Sequence, residues 1–369
     1  MEYLNFKYEN ALVSLSIFNR ECREVHTIIR PASPAASFSD QLICLQKGIE
    51  AVAEKIGSRL RPVFMRWFLS DAANQAHHIP ASFKCATSII QQSPLDGTKA
   101  ALWVIYKEDD DFKEVSPGIW KNGNGELWIG DMPIHATDSF TMTTEYLERL
   151  DKTLNNFGAS LADNCLRTWF MVRDIDVNYK GVVKGRNEVF SSKGLTSDSH
   201  FIASTGINGI SADPFRTVAF NAYANINVKP NQISYIHGYT HLNPTAEYGV
   251  AFERGTVVDY TDRRHIFISG TASINNRGEI VYPGDVAKQT YRMLENIEVL
   301  LKEGGAGWKD IAHLIVYLRD IADYHTVERI FRERFPEVPT VIVLAPVCRP
   351  GWLVETECMA ITPNQPTAN

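Results

Sequence analysis

Between Arg264 and Ala360 the apolar positions change period repeatedly, and each change marks an element. His265-Ile266-Phe267-Ile268-Ser269-Gly270 is an apolar run closed by glycine, which predicts a buried strand. From Val286 to Glu303 core-facing side chains recur at Thr290, Leu294, Ile297 and Leu301, the spacing of a helix with one buried face, and Gly304-Gly305 stops it. Ile311 to Leu318 is β-branched and aromatic and reads as a strand ended by Arg319-Asp320. A second helix spans Ala322 to Phe335, with Tyr324, Val327, Phe331 and Phe335 on one face and Pro336 after it. The last apolar run carries two carboxylates, Val354-Glu355-Thr356-Glu357. This order predicts an α+β fold with helices on one side of a mixed sheet.

The same pattern appears twice upstream. A helix around Tyr146-Leu147 to Phe157, Gly158, the strand Leu166 to Val172 and Arg173-Asp174 repeat it; so do a helix over Leu45, Ile49 and Val52, Gly57, the strand Phe64 to Leu69 and Ser70-Asp71. The expected organisation is therefore a degenerate module at 1–110, a second at 120–228 and a third at 255–363. An inserted, loop-like connecting segment with Pro230 and Pro244 occupies 229–254. The acidic run Glu108-Asp109-Asp110-Asp111 reads as a solvated connector between the first two modules.

Length and composition agree with several packed modules: 369 residues, 44% hydrophobic and 22% charged, the balance of a soluble globular chain. No apolar run approaches the roughly 18 residues that span a bilayer, so membrane insertion is not expected. The start Met1-Glu2-Tyr3-Leu4-Asn5-Phe6-Lys7 lacks the basic end and apolar stretch of a signal peptide, so the expected compartment is the cytoplasm. A net charge of −6 with no long Lys/Arg run argues against a nucleic-acid partner. The six cysteines are scattered without C-x-x-C spacing, and the ten histidines offer no ligand constellation; no metal and no cofactor are expected. Gly206-Ile207-Asn208-Gly209 is not a phosphate loop, and no Gly-x-Ser-x-Gly elbow occurs.

Glu355 and Glu357 alternate with Val354 and Thr356, so they share one strand face. Neighbouring carboxylates in a dry site raise one pKa, which lets a carboxylic acid hold a proton near neutral pH and donate it. Glu355 is the expected catalytic group; Glu357 either shares the site or pairs with a nearby arginine. Arg349, in a turn entering the strand, can grip a substrate carboxylate bidentately or partner Glu357. Cys348 has no histidine beside it to act as base and reads as a cavity wall.

Ile268-Ser269-Gly270-Thr271-Ala272, Val316-Tyr317-Leu318-Arg319-Asp320, Pro339-Thr340 and Leu353-Val354-Glu355-Thr356-Glu357 together resemble the YjgF/Rid family, whose modules have the chorismate-mutase-like fold. That resemblance implies trimers of one module with ligand sites in the clefts between copies, so three tandem modules form a pseudo-trimeric monomer, with further oligomerisation open. Many members hydrolyse enamines or imines and hold the substrate carboxylate with an arginine just before the last strand; the matching residue here is Val341. A longer resemblance, from about residue 160, is to the chorismatases: Arg167-Thr168-Trp169, Asp174-Ile175, Tyr179, Gly185-Arg186, Phe190, Thr205-Gly206-Ile207, Tyr248-Gly249, Phe252, Arg254 and Cys348-Arg349 carry it. It implies cleavage of an enolpyruvyl ether with Glu355 as acid, and Arg186, Arg254, Tyr248, Gly270 and Thr271 beside Arg349 in the substrate site. The chain departs from that family where Val250-Ala251 replace an arginine and a Ser-Pro, and where Asn275-Asn276 replace a Gly-His. The expected function is a small-molecule enzyme acting on a small anionic substrate, a chorismatase-like hydrolase. The alternatives are a Rid-type deaminase and a non-catalytic binder of small carboxylates.

Overall fold

The computed structural model describes residues 1–364 apart from 58, 109, 110 and 135. Of the acidic connector, Asp109 and Asp110 therefore lie outside the described residues. Three mixed sheets share one strand order. The first holds β1 (Glu2–Tyr8), β2 (Ala11–Phe18), β3 (Glu24–Pro31), β4 (Leu60–Leu69), β5 (Ala86–Gln91) and β6 (Ala100–Glu108) in the order β1-β2-β3-β6-β4-β5. The second holds β7 (Lys113–Ser116), β8 (Ile119–Lys121), β9 (Glu126–Ile129), β10 (Cys165–Val172), β11 (Ala203–Asn208) and β13 (Val218–Asn225) as β7-β8-β9-β13-β10-β11, while β12 (Ile210–Ser211) joins the first sheet. The third runs β14-β15-β16-β19-β17-β18, from β14 (Ile233–Ile236), β15 (Gly255–Asp259), β16 (Arg263–Ala272), β17 (Ile311–Leu318), β18 (Thr340–Leu344) and β19 (Val354–Pro363).

The helices α1 (Phe38–Ile56) and the one-turn α2 (Ala72–Gln75) belong to the first module. The second has α3 (Ser139–Asn155), the one-turn α4 (Leu161–Asn164) and α5 (Ile175–Ser192), and the third α6 (Val286–Glu303) and α7 (Tyr324–Arg334). Thr290, Leu294, Ile297 and Leu301 are buried on α6, as their spacing requires, and Asp285 caps it by accepting from the Lys288 N–H at 2.9 Å. The last helix begins at Tyr324 rather than Ala322, because Asp320 caps a short 3₁₀ turn at Ile321–Asp323 first. Ile233–Ile236, inside the stretch read as loop, pairs antiparallel with β15 and edges the third sheet.

Each module ends in a parallel edge strand reached by a crossover: β5 beside β4, β11 beside β10, β18 beside β17. The chain just past each edge strand then pairs with the edge strand of another module. Pro94 bridges Val343 on β18, Ile210 and Ser211 pair with β5, and Val347 bridges Ile207 on β11. Three such links close a ring of three sheets. At its centre Phe64, Trp103, Trp128, Trp169, Tyr223, Phe267 and His313 pack ring against ring, with Trp103 6.1 Å from Trp169 and 4.4 Å from His313. All three modules contribute, so this core belongs to the ring and not to any one module.

Candidate active site

The seam between the second and third modules is laced by polar backbone contacts. Ser204 donates its N–H to the Ser269 hydroxyl at 2.9 Å, which donates in turn to the Glu253 carbonyl at 2.6 Å; the Gly270 N–H meets the Thr205 hydroxyl at 2.9 Å. Beside this lacing lies a cleft of about 530 Å³, part of it open to solvent. Glu355, Arg186, Arg254, Arg349, Gly270 and Cys348 all line it, with Tyr179, Ser204, Gly206, Val250, Phe252, Ala272, Ile274 and Trp352. Residues from five separate stretches of sequence thus meet in one cleft.

Glu355 is 5% exposed and stands on β19 opposite Tyr317 of β17 and Ala272 of β16. Burial and the nearby Glu357 push its pKa up to about 8, against the opposing pull of Arg167 and Arg254. A side chain at Gly270 would overlap the Glu355 carboxyl oxygen, so any larger residue there would push the acid out of this position. Gly206 does the same for Tyr179, whose ring would stand 2.7 Å from an added Cβ.

Three guanidinium groups share the cavity with this one acid. Arg186 comes from α5, seven residues after Tyr179 and on the same helix face; it is 1% exposed, and its Nε and Nη2 have no hydrogen-bond partner among the described residues. Unsatisfied buried donors are costly, and an anion in the cavity would satisfy them. Arg254 donates to the carbonyl and Oδ1 of Asn243 at 3.0 and 3.3 Å and lies over Phe252 at 5.4 Å. Arg349 lies 5.0 Å over Trp352 in the turn that leads into β19. Burial, then Glu355, push the Cys348 thiol up to about 12, so it stays protonated and serves as wall.

Two expected contacts fall elsewhere. Thr271 lies between two cavity-lining residues, so strand alternation turns it away, and its hydroxyl donates to the Ser269 carbonyl at 2.9 Å. Glu357 is not in the cavity wall but deeper, where it accepts from Arg167 Nη2 at 2.7 Å, Trp169 Nε1 at 2.8 Å and the Thr205 hydroxyl. The backbone of Tyr248 ends a 3₁₀ turn, and its side chain lies outside the described residues. Val341 sits on β18, in the seam with the first module. Strand register gives Thr205 as its counterpart beside the Glu355 cavity, so neither position supplies an arginine. Ser204 and Trp352 were not foreseen. Tyr179 had a usable signal, its seven-residue spacing from Arg186.

The other two modules lack the acid. The ends of β4, β10 and β17 align through their parallel partners, and the residues opposite the penultimate position are Ala101, Ala219 and Glu355.

Residues 256–362 match the family model described as Endoribonuclease L-PSP. A 3-hydroxybenzoate synthase of Streptomyces hygroscopicus is 28% identical over 286 residues, covering 70% of this chain and 80% of that protein. A RutC family protein of Pyrococcus abyssi is 37% identical over 98 residues, 26% of this chain and 76% of that one. The chain belongs to the YjgF/Rid superfamily, on its chorismatase-like branch. The fold agrees over about four-fifths of the chain: a solved chorismatase structure superposes with a TM-score of 0.66 over 81% of this chain and 93% of its own, at 19% identity. The three tandem Rid modules thus form one pseudo-threefold ring.

Proposed function

We propose that this chain is a small-molecule hydrolase that opens an enolpyruvyl ether on a small anionic substrate, with Glu355 as the acid. The single observation that carries the reading is a buried carboxyl, its pKa pushed up to about 8 by burial and Glu357, set in a cleft lined by three guanidinium groups. Such a group holds its proton at neutral pH and can deliver it to the terminal carbon of an enol ether. The carbon that bears the ether oxygen then takes water, whose proton returns to the Glu355 carboxylate. The resulting hemiketal splits into pyruvate and an alcohol. Arg186, Arg254 and Arg349 hold carboxylate groups of the substrate, with Arg186 bringing two unused donors. This step uses no cofactor. The naming of the Streptomyces relative as a 3-hydroxybenzoate synthase supports an aromatic-acid precursor as substrate.

An imine deaminase of the Rid type would need its carboxylate-binding arginine at Val341 or, across the seam, at Thr205, and the chain has none at either place. Val250 makes an apolar wall where the chorismatase pattern places an arginine, so the substrate's grip here differs from that pattern. The test is to incubate purified protein with chorismate and measure pyruvate. Wild type releases pyruvate and Glu355→Gln does not; no pyruvate at high enzyme concentration overturns the hydrolase reading. Ammonia release from an enzymatically generated imino acid would then favour the deaminase. A small carboxylate that raises Tm without turnover would favour a binding protein.

A further inference from the structure

Glu357 has a counterpart in each module. The register that aligns Ala101, Ala219 and Glu355 places Trp103, Asn221 and Glu357 two residues further on, all buried at the ring's centre. In the second module Asn221 accepts Arg66 Nη2 from the first at 3.0 Å with a neutral amide. That amide takes only one of the guanidinium's nitrogens: Arg66 Nη1 makes no hydrogen bond among the described residues and lies 3.8 Å from Glu357, and two residues before Asn221 in the chain stands an alanine. In the third module the same position holds a carboxylate, and there alone an acid stands two residues earlier. Burying a full charge costs several kcal/mol before its partners repay it. Here the partners are two buried guanidiniums, Arg167 Nη2 at 2.7 Å and Arg66 Nη1 at 3.8 Å, whose charge the carboxylate offsets beside the acid.

We infer that Glu357 is a positioning residue for Glu355: clamped across the seam by Arg167, Trp169 and Thr205, it fixes a negative charge behind the acid that opposes loss of its proton. The inference rests on reading Glu355 as the acid. Every neighbour of Glu357 in the clamp donates, so both carboxylate oxygens act as acceptors, as a charged carboxylate's do. The Thr205 hydroxyl that reaches Glu357 also accepts the Gly270 N–H, and Gly270 is the residue against which the Glu355 carboxyl lies. One hydroxyl thus ties the fixed charge to the floor of the acid's place. Around Glu355 the charged and titratable groups are Arg254 beside β15, Arg167 on β10, Tyr317 on β17, Cys348 and Arg349 in the turn, and Tyr179 and Arg186 on α5. Arg167 and Arg254 favour the ionised acid, and Glu357, which also lies 3.8 Å from Arg66 of β4, is the anion set against them. With a neutral side chain at 357, Arg167 would stand uncompensated beside the acid and pull its proton off.

The experiment titrates Glu355 directly, by carbon NMR of labelled glutamate carboxyls, with Glu355→Gln assigning the signal. Glu357→Gln keeps the shape and an oxygen for Trp169 but removes the charge. The expected result is a Glu355 midpoint at least one pH unit lower, with the alkaline limb of the turnover profile moving by the same amount. An unmoved midpoint overturns the inference and leaves Glu355 as the acid. Full turnover by Glu355→Gln overturns the acid itself, and the inference with it. If Glu357→Gln does not fold, Arg167→Gln is compared with Arg167→Gln/Glu357→Gln: adding the second change must again lower the midpoint, and equal midpoints overturn the inference.

Discussion

A carboxyl that titrates near 8 in the folded chain and near its ordinary 4.5 when unfolded links proton binding to stability at the scale of one residue. Between those two values the folded protein holds a proton that the unfolded chain has released, so stability declines as pH rises through the window and is level outside it. The slope is at most about 1.4 kcal/mol per pH unit. Urea unfolding of wild type and Glu355→Gln at pH 5, 6.5 and 8 should show the variant gaining on wild type at each step; parallel stabilities would show that Glu355 is not held protonated. The acid was legible in the sequence, because a glutamate in an otherwise apolar strand is a costly residue that needs a reason. Its neighbour Glu357 was legible as sharing the face, but not the clamp, since Arg167 lies 190 residues earlier in the chain.

At the scale of elements, α6 was readable end to end because one apolar face repeats through it and a glycine pair closes it. The helix α5, which delivers Tyr179 and Arg186, was not, since Gly181 and Gly185 interrupt its pattern. Likewise β14 is a four-residue strand after Pro230, too short for alternation to register, and only its pairing with β15 defines it. Where β16 meets β11, a Cβ added at Gly270 would overlap the Glu355 carboxyl and stand 3.1 Å from the Thr205 methyl. Gly270→Ala should therefore displace the acid while leaving the sheet paired. A shift on the order of 1 Å lowers kcat by about 100-fold, measurable beside an unchanged circular dichroism spectrum; wild-type turnover in that variant would refute the crowding argument.

On the scale of the whole molecule, the three sheets are joined by strand pairing and by an aromatic centre that no module completes alone. Trp103 of the first module touches Trp169 of the second and His313 of the third. Trp103→Ala should cost about 3–5 kcal/mol, and calorimetry should record one transition moving down as a unit; a split transition would mean that the modules unfold separately. The apolar periodicity by itself determined three related α+β units, the first helix and central strand of each, and a lone pair of glutamates in the last, because burial of a repeating face is a local property of the chain. Only the tertiary structure decided that Glu355 shares a cleft with Arg186 and Arg254, that Glu357 turns inward to Arg167, and that Thr271 faces away. Those outcomes depend on which sheet edges meet when the ring closes, and residues far apart in sequence acquire neighbours, dry surroundings and altered proton affinity only there.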